Sequence, residues 1–202
     1  MINTLLLLVA CVSSQNLVDN DRIKVVALPG DIILQTEYSA QSWAVREVTG
    51  SIVTHVGVLV DFDGDGTLEV LEAAGPVGVV SLEDFGYRGP TQLRRLRNRD
   101  IHAKNIEDNL VDAGIKYLDR PYDAKFKWDD ENIYCSELVW KAYNDIGINV
   151  SPKEKLSDLD LTGPLAKRLI AARLGPGEAI DNEEVIVTPA SLERSAMLEN
   201  VR

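Results

Sequence analysis

Asn132-Ile133-Tyr134-Cys135-Ser136-Glu137-Leu138-Val139-Trp140 turns from a short apolar approach into an amphipathic helix, with the thiol of Cys135 in its first turn. Leu138, Val139, Ala142, Tyr143 and Ile146 fall on one face of that helix, and Gly147 is placed to stop it. A first helical turn carries unpaired backbone N–H groups and partial positive charge, so a thiol there is biased toward the nucleophilic thiolate. The competing reading is a cysteine buried as a small hydrophobe. Thr54-His55-Val56-Gly57-Val58-Leu59-Val60 bears on the choice, because it carries one of only two histidines in the 202-residue chain.

Working outward, the apolar, β-branched run from Ile52 to Val60 predicts a buried strand with His55 inside it. Asp61-Phe62-Asp63-Gly64-Asp65-Gly66-Thr67 then supplies hairpin chemistry, and a partner strand follows from Leu68 to Ala73. Further strands are expected at Ile32-Ile33-Leu34-Gln35, after the turn Leu28-Pro29-Gly30-Asp31, and at Val77-Gly78-Val79-Val80. Gln92 to Arg97 reads as another strand with exposed arginines, and Glu184 to Pro189 as a final one with a short helix after it. Residues 17–24 read as a polar linker, and Ser42 to Val48 as a helical turn or two. Ile106, Leu110, Ala113 and Tyr117 mark a helix over 104–118, and Pro164 to Leu174 is a cationic amphipathic helix with a solvated face over a core stripe. The strands are grouped rather than alternating with helices, which makes the fold class α+β.

The chain is long enough to bury a full core, and one domain is the default. A net charge of −11 argues against nucleic acid or an anionic membrane face as a general partner. The other cysteine, Cys11, closes the apolar run Leu5-Leu6-Leu7-Leu8-Val9-Ala10, too short to span a bilayer. That run resembles a truncated export signal, and Leu8-Val9-Ala10-Cys11 a bacterial lipobox, although no Lys or Arg precedes it. Residues 1–16 are therefore expected to be an export or lipoprotein signal, and 25–202 a single catalytic domain. The corresponding location is the periplasm or cell envelope, with lipidated Cys11 as a membrane tether, or the cytoplasm if the run is not a signal. A monomer or small homo-oligomer is expected.

Cys135, His55 and Glu72 can be assembled into a hydrolytic site. A thiolate nucleophile needs an imidazole in hydrogen-bond reach, and the imidazole needs an acceptor that fixes its tautomer. The Asp-Gly hairpin would make the strands of His55 and Glu72 neighbours, and a carboxylate in the apolar stretch Val70-Leu71-Glu72-Ala73 needs a partner. A rival claim on Glu72 is calcium: Asp61-x-Asp63-x-Asp65-Gly66 with Glu72 at position 12 fits an EF-hand loop, although apolar strands rather than helices flank it. Glu72 cannot both ligate calcium and orient His55. In the aromatic and acidic loop over 119–131, and beside the thiol, Tyr122, Asp123, Trp128 and Tyr134 are candidates for lining the cleft, with packing and loop capping as the alternative for each. His102 has no motif around it and is set aside.

Five stretches together carry a resemblance: Gly30-Asp31-Ile32-Ile33-Leu34-Gln35, Thr54-His55-Val56-Gly57-Val58, Val70-Leu71-Glu72-Ala73, Arg120-Pro121-Tyr122-Asp123 and Tyr134-Cys135-Ser136-Glu137-Leu138-Val139. In that order they resemble the YiiX-type permuted papain-like enzymes, circularly permuted relatives of the NlpC/P60 cell-wall peptidases, over roughly residues 27–195. Papain-like chains usually run Cys before His, whereas here His55 comes first, as in the permuted group. The resemblance implies an antiparallel sheet or small barrel packed against helices, with Cys135 as nucleophile, His55 as base and Glu72 as third residue. It implies hydrolysis of an amide in a small peptide-like substrate through a thioester, without a cofactor. Acyl transfer or lipid deacylation with the same Cys–His pair is a second expectation. A calcium-stabilised, non-catalytic envelope module with an inert cysteine is a third.

Overall fold

The computed structural model describes residues 20–98, 106–175 and 178–201. The N-terminal apolar run, Cys11 and His102 lie outside the described residues. Six strands form one antiparallel sheet: β1 (Ile32–Gln35), β2 (His55–Val60), β3 (Glu69–Ala73), β4 (Val77–Ser81), β5 (Thr91–Leu96) and β8 (Leu198–Asn200), in the order β4-β3-β2-β1-β5-β8. β6 (Glu154–Lys155) and β7 (Val185–Ile186) make a separate two-stranded ribbon.

Both faces of the sheet are buried, which is why its central strands read as continuous apolar runs. Ile32, Leu34, Val56, Val58 and Leu71 pack beneath α4 (Ile106–Tyr117) and α5 (Cys135–Asp145). Ile33, Leu59, Val70 and Leu93 pack on the other side, with Ile23 of α1 (Asn20–Val26) and Leu82 and Phe85 of α3 (Leu82–Tyr87). The α+β reading holds, and the sheet takes the antiparallel form.

Four local expectations are corrected. The stretch over 17–24 read as a linker runs into α1 from Asn20 onward, because Ile23 has a fully buried place against the sheet. The β5 arginines are not all exposed: Arg94 is buried, and Arg95 Nε and Nη2 donate to Asp31 at 2.7 and 2.6 Å. The last apolar run pairs only over Val185–Ile186, because Thr188 caps α7 (Pro189–Glu193) by accepting from Ser191 N at 2.9 Å. A strand absent from the sequence reading, β8, then closes the edge of the sheet against β5. Between β4 and the thiol helix the reading stands: α4 covers 106–117, and α5 ends before Gly147, whose φ is +80°. Ser42 to Val48 falls within α2 (Ala40–Thr49), and the cationic segment forms α6 (Pro164–Arg173).

Candidate active site

β2 begins at His55, and strand alternation sends His55, Gly57 and Leu59 to the face carrying Phe85. Glu72 of β3 pairs with Gly57, so His55 and Glu72 are diagonal neighbours across a residue with no side chain. A Cβ at Gly57 would meet Val70 Cγ1 at 2.4 Å and the Leu71 carbonyl at 3.0 Å, so only glycine allows the two strands this close. Across the gap His55 Nε2 lies 2.5 Å from Glu72 Oε2, and both residues are buried. The Phe85 ring stacks on the imidazole at 5.6 Å between centroids.

With Nε2 committed to Glu72, Nδ1 is the nitrogen left for Cys135, which lies near enough to the imidazole to favour its charged form. Cys135 is the first residue of α5, as the sequence predicts, and the preceding Tyr134 N donates to Glu137 Oε2 at 3.3 Å. Ser136 Oγ donates to Val187 O at 2.7 Å and pins the same turn to the β7 segment. Burial by itself would lower the basicity of His55. The charge and hydrogen bond of Cys135 and the bond to Glu72 outweigh it and raise the pKa to about 10, so His55 holds its proton at neutral pH. Glu72 is pushed up by burial, yet the hydrogen bonds and charges of His55 and Arg88 bring it below the ordinary carboxylate value.

Arg88 is a member of this cluster that sequence reading missed. Its Nη2 lies 2.7 Å from both Glu72 oxygens, its Nη1 is 3.7 Å from Glu37 Oε1, and its guanidinium sits 4.9 Å from the Phe85 ring centre. In sequence it is an arginine between two glycines, Gly86-Tyr87-Arg88-Gly89, where a solvated turn is the ordinary outcome.

Bonded in this way, Glu72 is not the twelfth ligand of a calcium loop. The turn carboxylates accept from their own backbone instead: Asp61 from Gly66 N at 2.9 Å, Asp63 from Asp65 N at 3.1 Å, and Asp65 from Thr67 N at 2.7 Å. Oxygens of the three lie within 4.8 Å of one another, between two strands.

Beside Cys135 a cleft, partly open to solvent, runs between α2, α6 and the β7 segment. Val45, Val48, Leu169, Ile170 and Ile186 give it an overwhelmingly apolar wall. Of the four candidate lining residues, Tyr122 and Tyr134 reach it. Tyr122 Oη accepts from Gln41 Nε2 at 2.7 Å, and its pKa is raised by burial and by the neighbouring Cys135 charge, so the hydroxyl keeps a proton to donate. Tyr134 Oη accepts from Val187 N at 3.2 Å. The other two have loop roles: Asp123 accepts from Lys125 N at 2.7 Å and from Lys127 N, while Trp128 packs edge-on against Trp140 at 5.2 Å.

His55, Glu72 and Cys135 follow one another in that order along the chain, on β2, β3 and the start of α5. The family of permuted papain-like amidases, the YaeF/YiiX or C92 family, matches residues 11–202. This chain belongs to that family. Protein YiiX of Escherichia coli (strain K12) is 34% identical over 176 residues, covering 85% of this chain and 84% of the relative. The crystal structure of the metalloprotein YiiX from Escherichia coli O157:H7 superposes with a TM-score of 0.78 at 34% identity, over 86% of this chain and 96% of that one. The permuted amidase fold is thus the fold of this chain, and family membership supports amide hydrolysis as its general class of chemistry.

Proposed function

We propose that the protein is a cysteine hydrolase that cleaves an amide bond through a thioester on Cys135, with His55 as base and acid and Glu72 as its orienting partner. The observation that carries this reading is His55 itself, held at Nε2 by Glu72 at 2.5 Å, with Cys135 as the neighbour whose charge favours its protonated form. The Cys135 thiolate attacks the carbonyl carbon, and the backbone N–H of Cys135, with the Tyr122 hydroxyl that lines the same cleft, would bond the developing oxyanion. His55 then gives its Nδ1 proton to the leaving amine as the C–N bond breaks. Water next attacks the thioester while Nδ1 takes its proton, releasing the carboxylic acid and restoring the thiolate–imidazolium pair.

The cleft favours an acyl group with an apolar chain over a charged peptide, because its walls offer few polar partners. This supports a second reading with the same chemistry, deacylation of a lipid-like ester, or transfer of its acyl group to another acceptor. Anilides and esters of acids from acetyl to palmitoyl, alongside short peptides, test both. Turnover that rises with chain length and vanishes in Cys135→Ala is expected, and turnover surviving Cys135→Ala overturns the assignment.

The crystallographic relative is described as a metalloprotein. On this chain Asp61, Asp63 and Asp65 offer the oxygen donors that suit a hard cation such as calcium. An ion there would brace the β2–β3 turn, and no step of the hydrolysis passes through it. If the protein were instead a calcium-stabilised binding module, chelation would lower its Tm while Cys135→Ala left its function intact. The location proposed for the protein remains the cell envelope, on the strength of the N-terminal apolar run.

A further inference from the structure

The turn that carries Arg88 is fastened to the sheet from several sides. Gln35 Nε2 donates to the carbonyls of Phe85 at 2.5 Å and Gly89 at 3.2 Å, and Thr36 N donates to Pro90 O at 2.9 Å. Gly89 has φ +156°, and a Cβ there would stand 2.1 Å from Thr36 O, so the turn closes onto β1 only with glycine. From this anchored position the guanidinium lies over one part of the Phe85 surface while His55 stacks on the same ring, and both reach Glu72.

A desolvated carboxylate 2.5 Å from an imidazole competes for the imidazole's proton, because burial disfavours its anion. If Glu72 took that proton, His55 would become neutral and lose its attraction for the thiolate. We infer that Arg88 is a positioning residue of this site: by holding both oxygens of Glu72 it keeps Glu72 the anion, and so keeps the shared proton on His55. In the proposed pair opposite charges then follow one another from the thiolate through His55, Glu72 and Arg88, with half-buried Glu37 3.7 Å from Arg88. The inference rests on the proposed thiolate–imidazolium pair, and it requires no substrate to test.

The experiment is the rate of Cys135 alkylation by iodoacetamide as a function of pH, read by peptide mass spectrometry on the full chain, its His55→Ala variant, Arg88→Met and Arg88→Lys. Arg88→Met is expected to move the acid limb of the profile upward by about one pH unit, a roughly tenfold slower labelling on that limb. Arg88→Lys, which keeps the charge but loses the guanidinium that lies on Phe85 and reaches Glu72 and Glu37 together, is expected to fall between the two. A limb that stays in place or moves to lower pH while only Tm falls makes Arg88 a structural residue and overturns the inference alone. Labelling indifferent to His55→Ala overturns the thiol–imidazole pair, and the role of Arg88 with it. If Arg88→Met does not fold, Arg88→Lys decides by the same limb.

Discussion

Cys135 gains its significance from what faces it. A thiol at a helix start is a common packing element, but here the neighbouring imidazole is fixed by a carboxylate and keeps its proton well above the ordinary histidine value. Labelling of Cys135 by iodoacetamide is therefore expected to be fast in the native protein and slow in His55→Ala, measured by mass spectrometry. Glu72→Gln keeps the shape of the acceptor but removes its charge, and should lower turnover about 10²–10⁴-fold while leaving the fold intact by circular dichroism. Gly57→Ala tests the close approach that lets His55 reach Glu72. The added methyl meets Val70 Cγ1 at 2.4 Å, so a loss of about 1–3 kcal/mol is expected in urea unfolding, together with lost activity.

Among the elements, α6 decides what reaches the thiol. It packs on α2 and supplies one wall of the cleft, yet Ala166 is its only fully buried residue. Polar contacts hold it at each end: Glu47 Oε2 accepts from Leu165 N at 2.9 Å and Ala166 N at 2.8 Å, and Arg173 donates to Gln41 Oε1 and to Ala124 O. Glu47→Ala removes a carboxylate from the helix N-terminus, which should cost about 1 kcal/mol and lower Tm by about 2–4 °C. Faster amide exchange confined to α6 would localise that effect. Gln41 links the far end of α6 to Tyr122 and so to the thiol, which sequence periodicity could not show because the three residues lie on three separate segments.

Across the whole molecule the buried carboxyls set the dependence of stability on pH. Burial pushes Glu137 up from 4.5 to about 7, although Lys141 Nζ stands 2.8 Å away. A folded-state pKa above the unfolded value means stability that is full below pH 4.5 and declines as pH rises toward 7. Glu72 has the opposite sign: its depressed value gives stability that is present above pH 4.5 and lost as pH falls below it. Urea midpoints measured from pH 4 to 8 should accordingly show a flatter decline between 4.5 and 7 in Glu137→Gln than in the native chain.

Strands β1 to β5, the thiol at a helix start and the pairing of His55 with Glu72 were legible in the sequence because each is written in local signals. Continuous apolar, β-branched runs mark the strands, Asp-Gly chemistry marks the hairpin, and a two-residue offset across that hairpin brings the imidazole to the carboxylate. The calcium pattern was equally local, and the fold set it aside for Glu72, since one carboxylate cannot face both the turn and His55. Arg88, the apolar cleft and the partners of the β5 arginines were decided only by the tertiary structure. Arg88 reaches Glu72 across a separate turn, the cleft is enclosed by α2, α6 and the β7 segment, and Arg94 and Arg95 find their partners in other segments. A side chain's partner follows from local sequence only when both lie on neighbouring strands or one helix face; where the chain returns from far away, packing of the whole molecule chooses it.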